Sequence, residues 1–297
     1  MELSICIPIF NKDVSPLVRE LRRQALDLSC VFEILLMDDG STEYLTENGA
    51  LDSLECVRYM RLERNVGRSA VRNRLADEAL YEYLIFMDCD VYPDSPSFLR
   101  DYLRMEGADV VVGGYRYGDE PTSKAHLLRW KYGKNREERS AEERGKRPND
   151  SFSTFNFMIR KSLFERVRFD ESLCGYGHED TLFGLCLKRA GIEVTHIDNP
   201  LTHLSYDASE LFLEKSGNSV RNLWDIYCKV EDADSFADSV KLLRCFRRLD
   251  GFGLTKVMAA ISPWAERIFR WNLLGGYPSL FLFDLYKLFL LCVCSKR

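Results

Sequence analysis

Residues 83–90 read YLIFMDCD, and this stretch decides the fold expected for the chain. Five apolar residues in a row, ended abruptly by a polar one, predict a short strand that is buried on both faces. Asp88 and Asp90 then leave the end of that strand with one residue between them. Two carboxylates so placed suit a hard divalent cation such as Mg²⁺ or Mn²⁺, but turns are also rich in Asp. The stretch therefore predicts a buried strand that ends in a metal site or in an acidic turn.

Strand-like and helix-like segments alternate on both sides of this stretch. The predicted strands cover residues 3–9, 31–37, 57–62, 83–87, 108–112, 152–159 and 193–197. The predicted helices cover residues 15–28, 65–79, 96–105 and 181–190, and only helices are predicted beyond about residue 206. Such alternation predicts an α/β fold in which a mostly parallel sheet carries helices on both faces. Ligands bind outside the carboxyl ends of the strands in these sheets, so the polar clusters at residues 8–11, 38–41 and 88–90 are expected to meet at one edge.

Length, charge and cysteine content narrow the class of protein. The chain has 297 residues, which allows about two domains or one large α/β unit, and its net charge of −5 gives no sign of nucleic-acid binding. Its ten cysteines include no Cys-x-x-Cys pair, which argues against a zinc ribbon, and several lie in apolar runs that favour buried, reduced thiols. The first residues lack the basic and apolar segments of a signal peptide. We therefore expect a cytoplasmic protein that does not bind nucleic acid.

Two further polar segments offer both a structural and a functional interpretation. Residues 38–41 (DDGS) form either a strand-to-helix turn, with Ser41 or Thr42 as the helix N-cap, or a place where a carboxylate accepts a hydrogen bond from a nucleobase. Residues 65–73 (NVGRSAVRN) begin a helix, with Asn65 as its cap, and hold two arginines. Helix N-termini and guanidinium groups both favour phosphate oxygens, although the segment also fits an ordinary surface helix.

The second half of the chain holds three more candidate segments. Residues 175–180 (GYGHED) put two acids at the start of a helix, where they either complement the helix dipole or stay ionised as a base. His203 follows the last predicted strand, and an isolated imidazole is either structural or, beside a carboxylate, suited to Mn²⁺. Residues 131–149 hold seven basic and four acidic side chains, typical of a solvated helix, a mobile loop or a lid over a phosphate ligand.

These segments, in this order and at this spacing, resemble a family 2 glycosyltransferase of the GT-A fold. The resemblance covers roughly residues 2–205 and implies a Rossmann-like mixed sheet flanked by helices. The matching segments are residues 5–11, 38–41, 65–73, 88–90, and 169–171 followed by 175–180. The last of them is similar to the W-G-x-E-D region of galactosyl- and N-acetylgalactosaminyltransferases, with Tyr176 in place of Trp. In the helix segment, Val71 stands where Ala is usual.

The resemblance implies a role for each matching residue. The residues implied to bind the nucleotide sugar are Pro8, Phe10, Asp39, Arg68 and Asp88. Of these, Asp39 is implied to bind the base, uracil, and Arg68 to lie near the diphosphate. The implied ligands of a Mn²⁺ or Mg²⁺ cofactor are Asp90 and His203, with Asp88 reaching the metal or the ribose. Asp180 is implied to be the general base, and Glu179 and Tyr176 to hold the acceptor.

The implied reaction is an inverting transfer of a sugar from a UDP-sugar to a hydroxyl of a glycan or lipid-linked glycan, as in surface polysaccharide biosynthesis. Two alternatives belong to other classes. A nucleotidyltransferase of similar sheet topology is expected to have a glycine-rich phosphate loop after the first strand, and residues 8–11 contain no glycine. An inactive glycan-binding or scaffold protein is expected to lack Asp90, Asp180 or His203, and the chain has all three. Rossmann and P-loop fingerprints are absent from the sequence, which argues against dehydrogenases and NTPases.

The chain is expected to divide after residue 205. A catalytic domain would cover residues 1–205, with a nucleotide-sugar half at about 1–115 and an acceptor half at about 116–205. Residues 206–297 would be a helical extension, in which residues 279–294 (SLFLFDLYKLFLLCVC) are too short and too interrupted by charge to span a membrane. Two interpretations stay open for this extension. It packs on the catalytic domain or in a homodimer, or it lies peripherally on the inner face of the cell membrane, anchored by residues such as Trp264 and Trp271.

Overall fold

A computed structural model of the chain describes residues 2–28, 30–121, 123–173 and 177–296. The strands of these residues are β1 Glu2–Ile9, β2 Val31–Asp38, β3 Val57–Arg61, β4 Tyr83–Met87, β5 Val91–Pro93, β6 Val110–Val112, β7 Tyr115–Arg116, β8 Asn156–Arg160, β9 Thr195–His196 and β10 Leu201–His203. The α-helices are α1 Ser15–Asp27, α2 Leu45–Gly49, α3 Arg68–Glu78, α4 Phe98–Leu103, α5 Leu127–Tyr132, α6 Ala141–Gly145, α7 Lys161–Phe164, α8 Glu179–Arg189, α9 Ser209–Lys229, α10 Ala233–Ser239, α11 Lys241–Gly251, α12 Leu254–Leu273 and α13 Leu280–Cys294.

The main sheet has seven strands in the order β3-β2-β1-β4-β8-β6-β9. Strands β1 to β4 run parallel to one another, whereas β8 is antiparallel to both of its neighbours. The chain order reverses at β1, because β2 lies on one side of it and β4 on the other. Ligands of open α/β sheets bind outside the carboxyl ends of the strands at such a reversal. The predicted mixed α/β fold is confirmed, and its geometry points to the ends of β1 and β4.

A second, small sheet has the order β5-β10-β7. Strand β10 pairs antiparallel with β5, so that His203 lies opposite Val91, and parallel with β7. These strands have only two or three residues each, too few to give an alternating pattern in the sequence. Since Val91 follows Asp90 in the chain, this sheet determines what lies next to the second acid of the 88–90 segment.

The contacts within the chain define two compact units. The first comprises Met1–Tyr117, Glu138–Leu173 and Cys186–Ser205, and the second comprises Gly118–Glu137, Cys174–Leu185 and Tyr206–Arg297. The core of the first unit is built on aliphatic residues of β1, β2 and β4 that are wholly buried, among them Ile5, Ile34 and Ile85. The core of the second is aromatic and includes Phe212, Phe269 and Phe283. The sequence-based boundary after residue 205 stays a prediction.

Several predicted elements are confirmed, and two predicted helix caps are wrong. Strand β4 begins and ends at the predicted residues, and helix α1 and strand β2 lie within one residue of prediction. Asn65 does not cap α3, because the helix starts three residues later and Gly67, with φ +93°, takes the cap position. Neither Ser41 nor Thr42 caps α2, whose cap is Tyr44 in a left-handed conformation. The Ser41 hydroxyl instead accepts a hydrogen bond from the backbone N–H of Asn11, which follows β1.

Residues 131–149 and the cysteines also differ in part from expectation. The charged segment forms short helical turns rather than one long helix. Arg144 within it is buried, and its guanidinium donates hydrogen bonds to the carbonyls of Val112, Gly113 and Ile197. The nine cysteines that the structure describes are free thiols, but three of them are exposed rather than buried. No helix formed by the described residues is both long and apolar enough to cross a membrane.

Candidate functional site

The carboxyl ends of β1 and β2 are tied together by Asn11. Its backbone N–H donates to the Ser41 hydroxyl at 2.9 Å, and its side-chain carbonyl accepts the N–H groups of Thr42 and Glu43 at 2.8 and 3.2 Å. Asn11 has φ +49°, a left-handed conformation that Asn tolerates better than most residues. The 38–43 loop is therefore held against the end of β1. Beside it, Pro8 is half-buried within β1, and Phe10, just after the strand, is 48% exposed.

Asp39 connects the loop after β2 to the start of α3. Its two carboxylate oxygens accept the N–H groups of Val66 at 2.7 Å and Gly67 at 3.1 Å. The residue is buried, and burial raises the pKa of its carboxyl even though the two amide donors act in the opposite direction. Each oxygen keeps a second lone pair. Asp39 thus orients the start of α3, and its role toward a nucleobase stays a prediction.

Gly40 allows this loop to pack closely, and its replacement tests how tightly. It has φ +76°, and a Cβ at this position would lie 2.7 Å from the Arg64 carbonyl carbon and the Asn65 nitrogen. We expect Gly40→Ala to lower the free energy of unfolding by about 2–3 kcal/mol, because it combines a left-handed backbone with a backbone clash. Urea unfolding followed by circular dichroism measures the loss.

Gly107→Ala is the matched control for this prediction. Gly107 also has a left-handed backbone, with φ +100°, but a Cβ there meets no atom within 4 Å. Its replacement should therefore cost only the conformational strain, about 1 kcal/mol. Equal losses for the two variants would contradict the close packing of residues 64 and 65 on Gly40.

Helix α3 brings three of the sequence segments together. Arg68 is its exposed first residue. Arg72, one turn later, is buried and donates to an Asp88 carboxylate oxygen at 2.8 Å. Asn73 donates to the Phe169 carbonyl at 3.0 Å and to Glu171 at 2.7 Å. The 65–73, 88–90 and 169–171 segments therefore meet at this helix.

The role of Arg72 was missed by the sequence reasoning, which gave the phosphate interpretation to both arginines of the segment. The guanidinium of Arg72 also lies 5.8 Å from the centroid of the Phe169 ring, so its position is fixed on two sides. A buried Arg that pairs with a carboxylate at a strand end is a positioning residue for that carboxylate. The spacing of four residues between Arg68 and Arg72 puts both on one helix face, but it does not distinguish the exposed from the buried one.

Asp90 and His203, the two predicted metal ligands, lie together. The pairing of β5 with β10 brings the Nε2 atom of His203 to 3.9 Å from the Oδ2 atom of Asp90. The Leu204 N–H also donates to the Asp90 carbonyl at 2.9 Å. The imidazole stacks on the rings of Tyr117 and Phe155, with centroids 5.7 and 5.6 Å away. The ring plane of His203 is thus set by its aromatic neighbours, and its edge is directed to the carboxylate.

A hydroxyl and an ammonium group complete the polar surroundings of Asp90. The Ser205 hydroxyl donates to Asp90 Oδ2 at 2.8 Å, and the Lys12 ammonium donates to Ser205 at 3.2 Å. Lys12 follows β1, so the end of the first strand, the 88–90 segment and the residues after β10 form one cluster. Neither Lys12 nor Ser205 was singled out from the sequence. Their only signal in the sequence is position, because Lys12 directly follows residues 8–11 and Ser205 lies two residues after His203.

These side chains fit a divalent cation. Two metal–ligand bonds of about 2.1 Å reach across the 3.9 Å between Asp90 and His203. Over the residues that the structure describes, no group of three or more His, Cys, Asp or Glu side chains forms a cation site. Where Mg²⁺ is bound by one or two carboxylates together with substrate phosphates, the protein supplies few of the ligands. A carboxylate with an imidazole favours Mn²⁺ over Mg²⁺.

The predicted acceptor and base residues belong to the second unit. Tyr176 lies outside the described residues. Glu179 and Asp180 are the first two residues of α8; Glu179 is buried, and Asp180 Oδ1 accepts the Thr181 N–H at 2.7 Å. Before them, burial lowers the pKa of His178 to about 4, so this imidazole is neutral at physiological pH. The N-terminus of a helix favours negatively charged side chains in general, and the catalytic roles of these two acids stay predictions.

The fold and the cluster at its carboxyl edge define a class of protein. The mixed α/β sheet is shared with solved glycosyltransferases of the GT-A fold. A mannosyltransferase from Pyrobaculum calidifontis, solved with GDP-Man and Mn²⁺, matches 99% of this chain and 86% of its own, with 14% identity and a TM-score of 0.60. The Staphylococcus aureus protein TarS, solved with UDP-GlcNAc, matches 100% of this chain and 91% of its own, with 16% identity and a TM-score of 0.50.

The chain belongs to glycosyl transferase family 2, whose family model matches residues 4–168. It is 32% identical to a dodecaprenyl-phosphate galacturonate synthase from Rhizobium johnstonii over 122 residues, which cover 38% of this chain and 36% of that protein. It is 26% identical to a chondroitin synthase from Escherichia coli over 246 residues, 68% of this chain and 34% of that protein. The chain thus aligns with about a third of the length of each of these two relatives.

Proposed function

We propose that this chain is an inverting, metal-dependent glycosyltransferase that moves a sugar from a UDP-sugar to a hydroxyl of a glycan or lipid-linked glycan. The observation that carries the proposal is the cluster of Asp90, His203, Ser205 and Lys12 at the end of β4, in a chain of glycosyl transferase family 2. The nine described free thiols are compatible with action in the reducing cytoplasm. Surface polysaccharide biosynthesis is the proposed setting.

A nucleoside diphosphate fits this cluster because its two negatively charged phosphates need positive charge on several sides. Arg68 at the start of α3 and Lys12 after β1 are both cationic, and the α3 N-terminus adds a partial positive charge. Asp39, beside the α3 N-terminus, is the proposed contact for the base. The choice of uracil follows the family resemblance. It is supported by the UDP-GlcNAc complex of TarS, although the Pyrobaculum enzyme was solved with GDP-Man.

Asp90 and His203 are the residues proposed to hold the metal, with Asp88 kept in place by Arg72. When bound, a divalent cation stabilises the negative charge that develops on the departing diphosphate. The Ser205 hydroxyl orients Asp90 by donating to the same oxygen that faces His203. Lys12 in turn restrains Ser205 and adds a charge that does not depend on the metal.

Asp180 is the proposed general base. Its carboxylate takes the proton from the acceptor hydroxyl as that oxygen forms a bond to the anomeric carbon. The bond between the anomeric carbon and the diphosphate oxygen breaks in the same step, and UDP leaves with the electron pair. Attack from the face opposite the leaving group inverts the configuration. No second carboxylate is needed as a nucleophile, because the acceptor oxygen attacks the anomeric carbon directly.

The proposed class of acceptor rests on the names of two relatives and on the need of the general base for a hydroxyl. One relative is a synthase of a dodecaprenyl-phosphate sugar and the other a synthase of chondroitin, so a lipid phosphate and a glycan are both represented. The proposal favours a glycan or lipid-linked glycan because the base then has a sugar hydroxyl to deprotonate.

A panel of nucleotide sugars tests the donor. The purified chain is incubated with five UDP-sugars and GDP-Man, with Mn²⁺ or EDTA, and released nucleotides are separated by chromatography. We expect UDP to be released from one UDP-sugar in the presence of Mn²⁺, and the release to stop with EDTA. Formation of UTP and a sugar 1-phosphate when pyrophosphate is added would instead support a nucleotidyltransferase. No release from any donor, with or without polyprenyl-phosphate and oligosaccharide acceptors, would overturn the proposal.

A further inference from the structure

Helix α12 carries a line of large apolar side chains that face solvent. Its members are Val257, Ile261, Trp264, Ile268 and Trp271, with exposed fractions of 56, 48, 75, 63 and 81%. They are spaced by four and three residues in turn, so at about 100° per residue they lie on one narrow stripe of the helix. Two tryptophans at three-quarters exposure or more are unusual on a surface that contacts only water. We call this line the α12 stripe.

The opposite side of α12 is packed, which fixes the direction of the stripe. Thr255, Ser262, Phe269 and Leu273 are buried, and Phe269 and Leu273 belong to the aromatic core of the second unit. The helix therefore cannot roll to hide the stripe without exposing that core. Three more exposed aromatic rings, Phe252, Tyr277 and Phe281, lie in the chain just before and just after this helix. A line of large, exposed apolar side chains on one helix face marks a site of contact with a partner.

The charge of the chain segment that contains the stripe selects the partner. Residues 241–297 hold ten basic and three acidic side chains, a net charge of +7 in a chain whose total is −5. Lys256 and Arg267 are exposed on α12 itself, and the Arg267 guanidinium lies 6.0 Å from the centroid of the Trp264 ring. Exposed Arg247 and Arg248 precede the helix. Two copies that met through this surface would repel each other, whereas an anionic lipid surface attracts it.

The residue types also match a lipid surface rather than a protein groove. Tryptophan and tyrosine rings prefer the boundary between headgroups and acyl chains, and long basic side chains extend from there to the phosphates. A helix that is apolar on one side and packed on the other lies in the plane of the interface instead of crossing it. We propose that the α12 stripe is a docking surface for the anionic face of a lipid bilayer. The inference does not depend on the glycosyltransferase function.

Vesicle binding tests the proposal directly. The full chain is sedimented with vesicles of phosphatidylcholine alone and of phosphatidylcholine with 30% phosphatidylglycerol, at low and physiological salt. We expect binding to the anionic vesicles, weaker at higher salt, and a blue shift of the tryptophan emission. Replacing both Trp264 and Trp271 by Ser should weaken binding by roughly tenfold or more, since two large apolar surfaces are then lost. Replacing both by Phe should retain most of the binding.

The matched control for the serine variant is Leu80→Ser combined with Leu211→Ser. These leucines are 66 and 43% exposed and lie outside α12, so their loss removes apolar surface without touching the stripe. Vesicle binding should be unchanged in this control. Circular dichroism and release of UDP from the donor identified in the panel monitor folding and activity separately from lipid binding.

Three outcomes would overturn the proposal. The first is equal binding to neutral and anionic vesicles, and the second is vesicle binding that the serine variant leaves unchanged. The third is a dimer in light scattering that the serine variant dissociates, without vesicle binding, because the stripe is then an interface between two copies. Each of these results would leave the release of UDP, and hence the proposed function, untouched.

Discussion

Asp180→Asn is expected to lower kcat by roughly a thousandfold, the usual scale for loss of a general base. The amide cannot take the proton from the acceptor hydroxyl, but its oxygen can still accept the Thr181 N–H, so the start of α8 should keep its structure. Binding of UDP should change little, because Asp180 has no proposed role toward the donor. Initial rates with the active UDP-sugar give kcat, and calorimetry gives the dissociation constant of UDP.

Asp232→Asn is the matched control for this variant. Asp232 is also a carboxylate at a helix N-terminus of the second unit, where it accepts the Ser235 N–H at 3.0 Å. The same change of charge and shape there should leave kcat within about a factor of two, since Asn is also a good N-cap. A kcat for Asp180→Asn close to that of the control would remove Asp180 from the reaction. If Asp180→Asn weakened UDP binding by as much as it lowered kcat, Asp180 would act on the donor instead.

Asp90→Asn is expected to lower kcat/KM by roughly 10²–10³ in Mn²⁺, on the scale of removing one electrostatic contact to a leaving group. The amide oxygen can still accept the Ser205 hydroxyl, so the variant removes charge and metal affinity while keeping the local hydrogen bond. The Mn²⁺ concentration for half-maximal activity should rise at the same time. A titration of activity against Mn²⁺ measures both effects.

Asp94→Asn is the matched control for Asp90→Asn. Asp94 lies just past the other end of β5, its side chain is 23% exposed against 24% for Asp90, and it pairs with Arg116 at 2.7 Å. Its replacement should leave the Mn²⁺ dependence unchanged. If Asp90→Asn also left that dependence unchanged, Asp90 would not be a metal ligand. If both variants lost activity equally, the effect would come from the β5 region as a whole rather than from the metal.

Strand β4 and helix α3 illustrate how far the sequence can be used. Five consecutive apolar residues have few ways to avoid water other than a buried strand, and β4 therefore begins and ends where the pattern predicts. The predicted cap of α3, Asn65, lies two residues before the observed cap, Gly67. The position of the cap depends on Asp39, whose carboxylate accepts the N–H groups of Val66 and Gly67 just before the helix. Asp39 lies 27 and 28 positions before these two residues in the chain. A distant residue thus decides where the helix begins.

The site divides in the same way. The residue types were predictable, because acids after a buried strand, arginines at a helix start and acids before another helix are visible as local patterns. Their partners were not. Ser205 binds Asp90 across 115 positions of the chain, through strands of two or three residues that leave no periodic pattern. Lys12 entered the cluster only because β1 ends beside β4 in the sheet.

By itself the sequence determined the alternating strands and helices, the parallel arrangement of β1 to β4 and the acids at their carboxyl edge. These features follow from local hydrophobic patterns, each set by a few neighbouring residues. The tertiary structure decided that Arg72 is buried against Asp88, that His203 faces Asp90, and that the α12 stripe points to solvent. Such contacts depend on which distant segments pack against each other, and the free energy that selects them comes from burial of the whole core.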